Sequence, residues 1–230
     1  MSEPLPTAAE ITTLHDQLLA DSGWPAAQPA ARDDAAWRWI QTNHQFNCRL
    51  WAEEDLARRT RVSDGEIAAN KRAIDGFNQA RNDATERVDE LLLLGLGLVD
   101  AASARTDAPL ARVPVGAKLN SETAGSMVDR MSIMALKIHA MRAQTLRTDV
   151  DDGHRAVSAV KLERLVQQRA DLADCFDALL ADASAGRAYF KVYRQFKMYN
   201  DARLNPALVA ELASAAPPTV SGGVGEPTNR

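Results

Sequence analysis

Several residue types are scarce in this sequence, and each shortage excludes a class of protein. Only two of the 230 residues are cysteines, and aromatic residues make up 5% of the chain. Cys48 and Cys175 form neither a CxxC motif nor a metal-binding spacing, and both lie in apolar helical patterns. We therefore expect two reduced, buried thiols, and neither a disulfide framework nor a structural zinc site.

Long hydrophobic runs and an excess of basic charge are also missing. The longest apolar run covers residues 91–99, whereas a transmembrane helix needs about 20 residues, and the first residues do not have the pattern of a secretory signal. The net charge is −4, so the chain lacks the basic footprint of a nucleic-acid-binding protein. We expect a cytoplasmic protein with no membrane span and no nucleic-acid partner.

The sequence is rich in apolar residues at helical spacing. Its 46% hydrophobic and 25% charged residues are typical of a globular protein, and its many Ala and Leu residues favour helices over sheets. We predict an all-α, single-domain helical bundle of about five or six helices with a long antiparallel hairpin. Its parts are a short helix and loop (1–32), the bundle with a loop at 100–120 (33–213), and a flexible tail (214–230).

Helix boundaries follow from local signals. Ser63, followed three residues later by Glu66, is a capping-box pattern. Asp151 or Asp152 can cap a later helix, and Gly186 can end it. Between residues 100 and 120 the helical periodicity is lost, and so long a segment is typical of a lid, a binding loop or a disordered excursion. The predicted helices cover residues 8–20, 33–61, 63–98, 121–147, 151–186 and 187–200, with a last turn or two from 205.

Polar residues recur along both helices of the predicted hairpin, and many of them are Asn and Asp, which are uncommon in helix interiors. In a helix interior Asn and Asp each cost about 0.5 kcal/mol relative to Ala, so a merely solvated face is more stable when built from Glu, Lys and Gln. A chain turn near Ser63 would bring the two polar stripes together. The stripes contain Asn43, His44, Asn47, Glu54, Asp55 and Arg58 on the first helix and Lys71, Asp75, Asn78, Asn82, Glu86 and Asp89 on the second.

Two interpretations of these stripes stay open. In the first, Glu54, Asp55, Arg58, Lys71 and Arg72 form a salt-bridge cluster that locks the hairpin. In the second, the stripes line a cleft whose carboxylates and basic residues perform general acid/base work or hold a cation or a phosphate. An asparagine amide presents both a donor and an acceptor, which suits the hydroxyl groups of a sugar or a nucleotide.

The second interpretation assigns roles to individual residues. Glu54 and Asp55 are the best candidates for a general base, and His44 is either a catalytic residue or a packed, hydrogen-bonded one beside Trp51. The ligand-binding candidates on the hairpin are Asn43, Asn47, Arg58, Lys71, Asp75, Asn78, Arg81 and Asn82.

A further polar patch lies at the start of the predicted helix that begins at residue 121. Ser126, Arg130 and Lys137 share one face of that helix, and free backbone N–H groups at a helix N-terminus attract anions. The patch either binds a phosphate or is an ordinary cap followed by a surface ion pair. We expect the segment after residue 196 to point toward the same cleft. The candidates in these later segments are Ser126, Asp129, Arg130, Lys137, Lys197 and Asn200.

The spacing from Glu86 to Asp89 resembles half of the magnesium motif of all-α nucleotide pyrophosphatases. The Glu-x-x-Glu half of that motif is missing, because Glu53 and Glu54 are followed by Leu56 and Ala57. A metal-dependent nucleotide pyrophosphohydrolase is therefore an alternative function, while the residues identify no cofactor and no set of metal ligands.

Four segments together resemble one uncharacterised bacterial family, the domain of unknown function 4254. They are NHQFNCRLWAEEDLARR, KRAIDGFNQARND, ETAGSMVDRMSIMALKIHAM and FKMYNDARLNP, and the resemblance covers about residues 37–206. Ala124 stands where a proline is common in the family, and Ala140, next to His139, stands where a histidine is common. The matching positions are Asn43, Asn47, Leu50, Trp51, Glu54, Asp55, Arg58, Lys71, Arg72, Asp75, Asn78, Arg81, Asn82, Asp83, Gly125, Ser126, Asp129, Arg130, Lys137, Lys197, Tyr199, Asn200 and Asp201.

The resemblance implies a helical fold and no known reaction. Because members of the family occur among genes for envelope polysaccharide and glycosyl transfer, it implies a sugar or nucleotide-sugar ligand. We therefore expect a polar pocket between helices that binds or acts on a phosphorylated or nucleotide-linked sugar in envelope glycan metabolism. A small anionic or sugar-like metabolite is the expected partner, and a homo-oligomer is compatible with the sequence. The alternative class is a non-catalytic helical accessory or scaffold protein.

Overall fold

The computed structural model describes residues 4–26, 35–196, 201 and 203–215, and it confirms the prediction of an all-α bundle. Six helices hold most of these residues, and the two strands among them have two residues each. The elements are α1 (Ala8–Ala20), α2 (Ala35–Leu56), α3 (Asp64–Gly95), β1 (Lys118–Leu119), α4 (Ala124–Thr145), α5 (Asp152–Ser184), β2 (Ala188–Tyr189) and α6 (Pro206–Ala215).

Side-chain caps start the helices where the sequence predicts them. The Ser63 hydroxyl accepts a hydrogen bond from the backbone N–H of Glu66, and the Glu66 carboxylate accepts one from the backbone of Ser63. Asp151 accepts from the backbone N–H of residue 154 at the start of α5. After α5, Gly186 adopts a φ of 69°, the left-handed conformation in which glycine commonly terminates a helix.

Two helical hairpins form the bundle, and α4 is the helix through which the second packs on the first. The first hairpin is α2 with α3, joined by a short turn, and the second is α4 with α5. Helix α4 packs against α2 and α3 as well as α5, while α5 contacts neither α2 nor α3 within the described residues. The outer face of α4 therefore forms the floor of a groove that is open between α2 and α5.

Helix α1 packs against α2, α4 and α5. The Arg169 guanidinium on α5 donates to both carboxylate oxygens of Asp16, at 2.6 and 3.0 Å, and Asp177 accepts from the backbone N–H of Ala8 at 2.8 Å. Beneath α1 the apolar faces of α2 to α5 meet in the main core. Its members include Ile11, Ile40, Val88, Leu92, Leu93, Val128, Met131, Phe176 and Phe190.

The connection between α3 and α4 is ordered rather than a disordered excursion. Backbone hydrogen bonds join Asp100 to Leu110 at 2.9 Å and Arg112 to Leu98 at 2.8 Å. Ala104 at its tip is buried. The segment is therefore folded against the bundle, and a role as a lid or binding loop stays a prediction.

The prediction of a helix over 187–200 is wrong for residues 187–196. Residues 188–189 form β2, which pairs in parallel with β1 so that Lys118 lies opposite Ala188. Phe190 and Val192 are both buried, and burial at every second residue is the period of a strand. Extended backbone places both apolar side chains in the core, which a helix would separate by about 200°. Residues 197–200 lie outside the described residues.

The two cysteines differ in burial, contrary to the prediction that both are buried. Both are free, but Cys48 is buried and Cys175 is exposed. On α5 the neighbouring Leu172 and Phe176 face the core, and one helical step of about 100° turns position 175 away from it.

The chain divides into two compact units, residues 1–194 and residues 195–230. Within the described part of the second unit, α6 begins at Pro206, and the Asn205 side chain accepts from the backbone N–H of Ala207 at 3.0 Å. This confirms the expected last turns. Among the described residues, no helix has both the length and the apolar character needed to cross a bilayer.

Candidate functional site

Asparagines of α2 and polar residues of α4 meet in a buried polar seam, which consists of Asn43, His44, Asn47, Asp129 and Ser132. Both amides donate to one carboxylate oxygen of Asp129, each at 2.9 Å. The Asn47 amide also lies 3.0 Å from the Ser132 hydroxyl. All five residues are buried or half-buried, so their mutual hydrogen bonds replace those that water would have made.

The seam explains the helix-breaking amides at this point of α2. Asn43 and Asn47 are one turn apart, as are Asp129 and Ser132 on α4, so each pair faces the opposite helix. A hydrogen bond to a charged group stabilises a fold by about 1.5–3 kcal/mol, which exceeds the helix-propensity cost of an asparagine, about 0.5 kcal/mol. These amides hold α2 against α4.

His44 belongs to the seam and is fully buried. Its Nδ1 lies 2.8 Å from the Ser132 hydroxyl, and its ring stacks on His15 with centroids 4.4 Å apart. Burial lowers the pKa of His44 to about 4. His44 is therefore neutral at pH 7 and lines none of the clefts described below, and its predicted catalytic role stays a prediction.

His15 is the least satisfied polar residue near the seam. It is fully buried, and neither ring nitrogen has a hydrogen-bond partner within the described residues. Burial, with smaller effects of the neighbouring His44 and Arg169, holds the pKa of His15 well below its usual value. A neutral imidazole keeps one N–H donor, which remains unpaired here, so this position costs stability.

Beyond Asn47 the seam opens into an outer cleft of about 320 Å³ between α2, α3 and α4. Helix α2 contributes an aromatic ring and two carboxylates, the turn after it contributes a guanidinium, α3 contributes an amide and a guanidinium, and α4 contributes apolar residues. The lining residues are Asn47, Leu50, Trp51, Glu54, Asp55, Arg58, Asn78, Arg81, Ile133 and Leu136. The structure thus brings four residues of the first polar stripe, Asn47, Glu54, Asp55 and Arg58, together with Asn78 of the second at this cleft.

Two lining residues of the outer cleft have unused donors. Arg81, with a side chain 25% exposed, donates to Asn82 at 3.1 Å. Its buried Nε lies 3.9 Å from Asp129, and this nitrogen has no hydrogen-bond partner within the described residues. The Asn78 amide makes no hydrogen bond to any described residue either. Because the Arg81 Nε is buried, only the other N–H groups of Arg81 and the Asn78 amide can serve a ligand in the cleft.

The carboxylates of the outer cleft differ in their pairing. Glu54 accepts a hydrogen bond from Arg58 at 2.9 Å, while Asp55 is exposed and forms no ion pair among the described residues. The predicted salt-bridge cluster across the hairpin does not form, since Lys71 pairs with Asp75 on its own helix. Neither Lys71 nor Asp75 lines the outer cleft.

The predicted residues of α4 divide between its two sides. Ser126 is engaged in the cap of α4, where its backbone N–H donates to Thr123 at 3.1 Å. Arg130 pairs with Glu122 and lines a cavity of about 650 Å³ on the α5 side of α4, as does Lys137. The structure does not bring Arg130 and Lys137 into the outer cleft. The two predicted residues of the later segment, Lys197 and Asn200, lie outside the described residues.

Asp89 fixes the start of α4 against α3. Its carboxylate accepts from the backbone N–H of Gly125 at 2.6 Å, and a Cβ at Gly125 would stand 2.4 Å from the carbonyl oxygen of Thr85. Burial raises the pKa of Asp89 to about 7, although hydrogen bonds from Thr123 and Gly125 act in the opposite direction. Only glycine permits so close an approach of the two helices.

The other carboxylate of the pyrophosphatase-like spacing is also engaged by the protein. Arg194 donates to Glu86 at 2.9 Å and to Glu90 at 2.6 Å, and it donates to the backbone carbonyls of Ala104 and Thr106. Arg194 thereby ties the connection between α3 and α4 to α3. Among the described residues, no group of three or more His, Cys, Asp or Glu side chains has a metal-binding arrangement.

Sequence reasoning missed several members of these sites. Ser132 is one turn after Asp129 on the same face of α4, so the helical spacing could have revealed it. Lys161 and Arg164, which line a groove between α4 and α5, carry no signal in the sequence, because exposed cations are common on any helix.

Comparison of the chain with curated proteins and with solved structures finds no match. Comparison with protein families finds one, described as protein of unknown function (DUF4254), which matches residues 37–192. The matched region includes α2 to α5 and therefore the seam and the outer cleft. Since the match covers more than half of the 230 residues, the chain belongs to the DUF4254 family.

Proposed function

We propose that the protein binds a phosphorylated or nucleotide-linked sugar in the outer cleft. The observation that carries this proposal is that Arg81 and Asn78 line an open volume next to the ring of Trp51, while Asn78 makes no hydrogen bond to a described residue and Arg81 donates only to Asn82 among them. Unpaired donors of this kind in a cleft lined partly by apolar groups are typical of small-molecule sites.

Each group in the cleft suits one part of such a ligand. A guanidinium matches the oxygens of a phosphate in a two-pronged hydrogen bond, and Arg81 is the guanidinium with free capacity. The amide of Asn78 and the carboxylates of Glu54 and Asp55 suit sugar hydroxyls, whereas the Asn47 amide nitrogen is occupied in the seam. The ring of Trp51 offers an apolar surface to the less polar face of the sugar.

The volume of the cleft limits the part of the ligand that it holds. About 320 Å³ lies at the small end of ligand sites, which are usually about 300–1,000 Å³. A hexose phosphate fits this range, and a nucleotide attached to it would extend beyond the cleft. In this proposal the protein works in cytoplasmic steps of envelope glycan metabolism, and Glu54 and Asp55 are the candidates for a general base.

The seam favours a second candidate, a non-catalytic accessory protein. Asn43, Asn47, Asp129 and Ser132 satisfy one another, and His44 is buried beside them, so the groups that are best fixed are not available for chemistry. In this second candidate function, the outer cleft binds the sugar but does not convert it to a product.

The test is ligand binding by the full chain, measured by calorimetry with glucose 6-phosphate and UDP-glucose, and with glucose and inorganic phosphate as single-part probes. We expect one of the two phosphorylated sugars to bind at least tenfold more tightly than either single-part probe, because the phosphate contact of Arg81 and the contacts to the sugar hydroxyls act together. Asn78→Ala and Arg81→Lys should each weaken this binding by about tenfold, which is about 1.4 kcal/mol.

Gln79→Ala is the matched control, because Gln79 lies next to Asn78 on α3 but bonds to Asp83 and does not line the cleft. It should bind like the wild type. Absence of binding by both phosphorylated sugars, or equal binding by all three variants, would overturn the proposal. A chromatographic assay for product in the same samples separates turnover from binding alone.

A further inference from the structure

A second opening, the cationic groove, lies between α4 and α5 and has a volume of about 410 Å³. Its floor is apolar, with Trp51 of α2 at one end and Met141 and Leu165 between the two helices. These three side chains are each only half-buried. A ligand that covered them would gain about 25 cal/mol for each Å² of apolar surface removed from water.

The rim of this groove has charge of one sign. Lys137 on α4 and Lys161 and Arg164 on α5 line it, together with the amides of Gln144 and Gln168, and no carboxylate lines it. Three cations around one opening are unusual in a chain whose net charge is −4. Their mutual repulsion favours an anion between them.

These three cations are also unpaired. None of them forms an ion pair or a hydrogen bond with any described residue, whereas Arg130, two turns earlier on α4, pairs with Glu122. Glu122 and Asp171 line the adjoining cavity, and Glu163, the residue before Arg164 on α5, does not line the groove. Among the described residues, the lining of the cationic groove therefore holds three cations and no carboxylate.

We propose that the cationic groove is a binding site for a small amphipathic anion, a molecule with an apolar or aromatic body and one carboxylate, sulfonate or phosphate group. The body lies on Trp51, Met141 and Leu165, and the anionic group pairs with Lys161 and Arg164 at the rim. The volume is that of a small-molecule site, and the unpaired cations supply the charge complementarity. This site is separate from the outer cleft, with which it shares Trp51.

The test uses 1-anilinonaphthalene-8-sulfonate, an aromatic sulfonate whose fluorescence rises in an apolar site, titrated into the full folded chain. We expect saturable binding of one probe per chain, displaced by decanoate at least tenfold more effectively than by the uncharged 1-decanol. Lys161→Gln combined with Arg164→Gln should weaken probe binding about tenfold, which is about 1.4 kcal/mol, and raised salt should weaken it in the wild type.

Lys118→Gln combined with Arg142→Gln is the matched control, because it removes the same charge from exposed positions that do not line the groove. This control and Asn78→Ala, which alters the outer cleft, should bind the probe like the wild type. Equal weakening in both double variants, unchanged binding in Lys161→Gln with Arg164→Gln, or equal displacement by decanoate and decanol would overturn the proposal.

Discussion

The polar seam and the outer cleft meet at Asn47 and both contain asparagines, yet their polar groups behave differently. In the seam, Asn43 and Asn47 donate to Asp129 at 2.9 Å and are buried. In the outer cleft, Asn78 makes no hydrogen bond to a described residue and Arg81 donates only to Asn82 among them, and both line an open volume. Polar residues of the hairpin therefore hold the fold where they lie in the seam and are available to a ligand where they line only the outer cleft.

The position of α4 makes this difference. At Gly125 it approaches α3 so closely that polar groups must pair with one another. Further along α4, Ile133 and Leu136 line the outer cleft, and their apolar side chains leave the polar groups of α2 and α3 without partners. The contact at Gly125 thus lies one turn before Asp129 of the seam, and the outer cleft begins one turn after it, at Ile133.

The largest effect on stability is expected from a substitution that moves α4 away from α3. In Gly125→Ala the new Cβ would lie 2.4 Å from the Thr85 carbonyl oxygen and 2.9 Å from the Asp89 carboxyl carbon, so the helices must separate. We expect the free energy of unfolding to fall by about 3 kcal/mol, measured by urea denaturation.

Gly76→Ala on α3 is the control for this substitution, because a Cβ at Gly76 meets no atom within 4 Å. It should raise the free energy of unfolding by about 0.5–1 kcal/mol through helix propensity. A Gly125→Ala protein as stable as the wild type would show that the close approach is not needed.

A second way to test the seam is to change pH. Because the pKa of His15 is lowered in the folded state, the unfolded chain binds a proton below about pH 6.5 while the folded chain does not, so stability is lost as pH falls. The change in the free energy of unfolding that His15→Leu causes should therefore be about 2 kcal/mol more positive at pH 5 than at pH 8.

The free energy of unfolding of the variant must be compared with that of the wild type at each pH, because Asp89 changes the stability of both proteins with pH in the opposite direction to His15. Its raised pKa of about 7 makes stability fall as pH rises from about 4 to 7. The free energy of unfolding of both proteins should be measured in urea at pH 5 and pH 8. An effect of His15→Leu that is equal at the two pH values would contradict the assignment of a neutral, buried imidazole.

Local sequence rules predict the helices well, because their signals lie within a few residues of each boundary. The capping box of Ser63 and Glu66, the cap at Asp151 and the terminating Gly186 are all confirmed. The extended segment after Gly186 was missed because β2 pairs with β1, which is about 70 residues earlier in the chain. No local propensity of Ala188 and Tyr189 contains that information.

The candidate site was predictable only in part, for a related reason. Helical spacing places Asn47, Glu54 and Asp55 of α2 and Asn78 of α3 on facing stripes, and the structure brings them together in the outer cleft. Helix α4, however, has neighbours on several sides, and its sequence does not say which neighbour each face meets. For this reason Asp129 joins the seam while the next residue, Arg130, faces the α5 side.

The central claim is that an asparagine in the seam maintains the fold while an asparagine in the outer cleft does not. The most direct test is the free energy of unfolding of Asn47→Ala and Asn78→Ala, measured side by side in urea at pH 7. Asn47→Ala should lose about 1.5 kcal/mol, because Asp129 loses a buried donor. Asn78→Ala should gain about 0.5 kcal/mol from helix propensity, and equal losses in the two variants would contradict the claim.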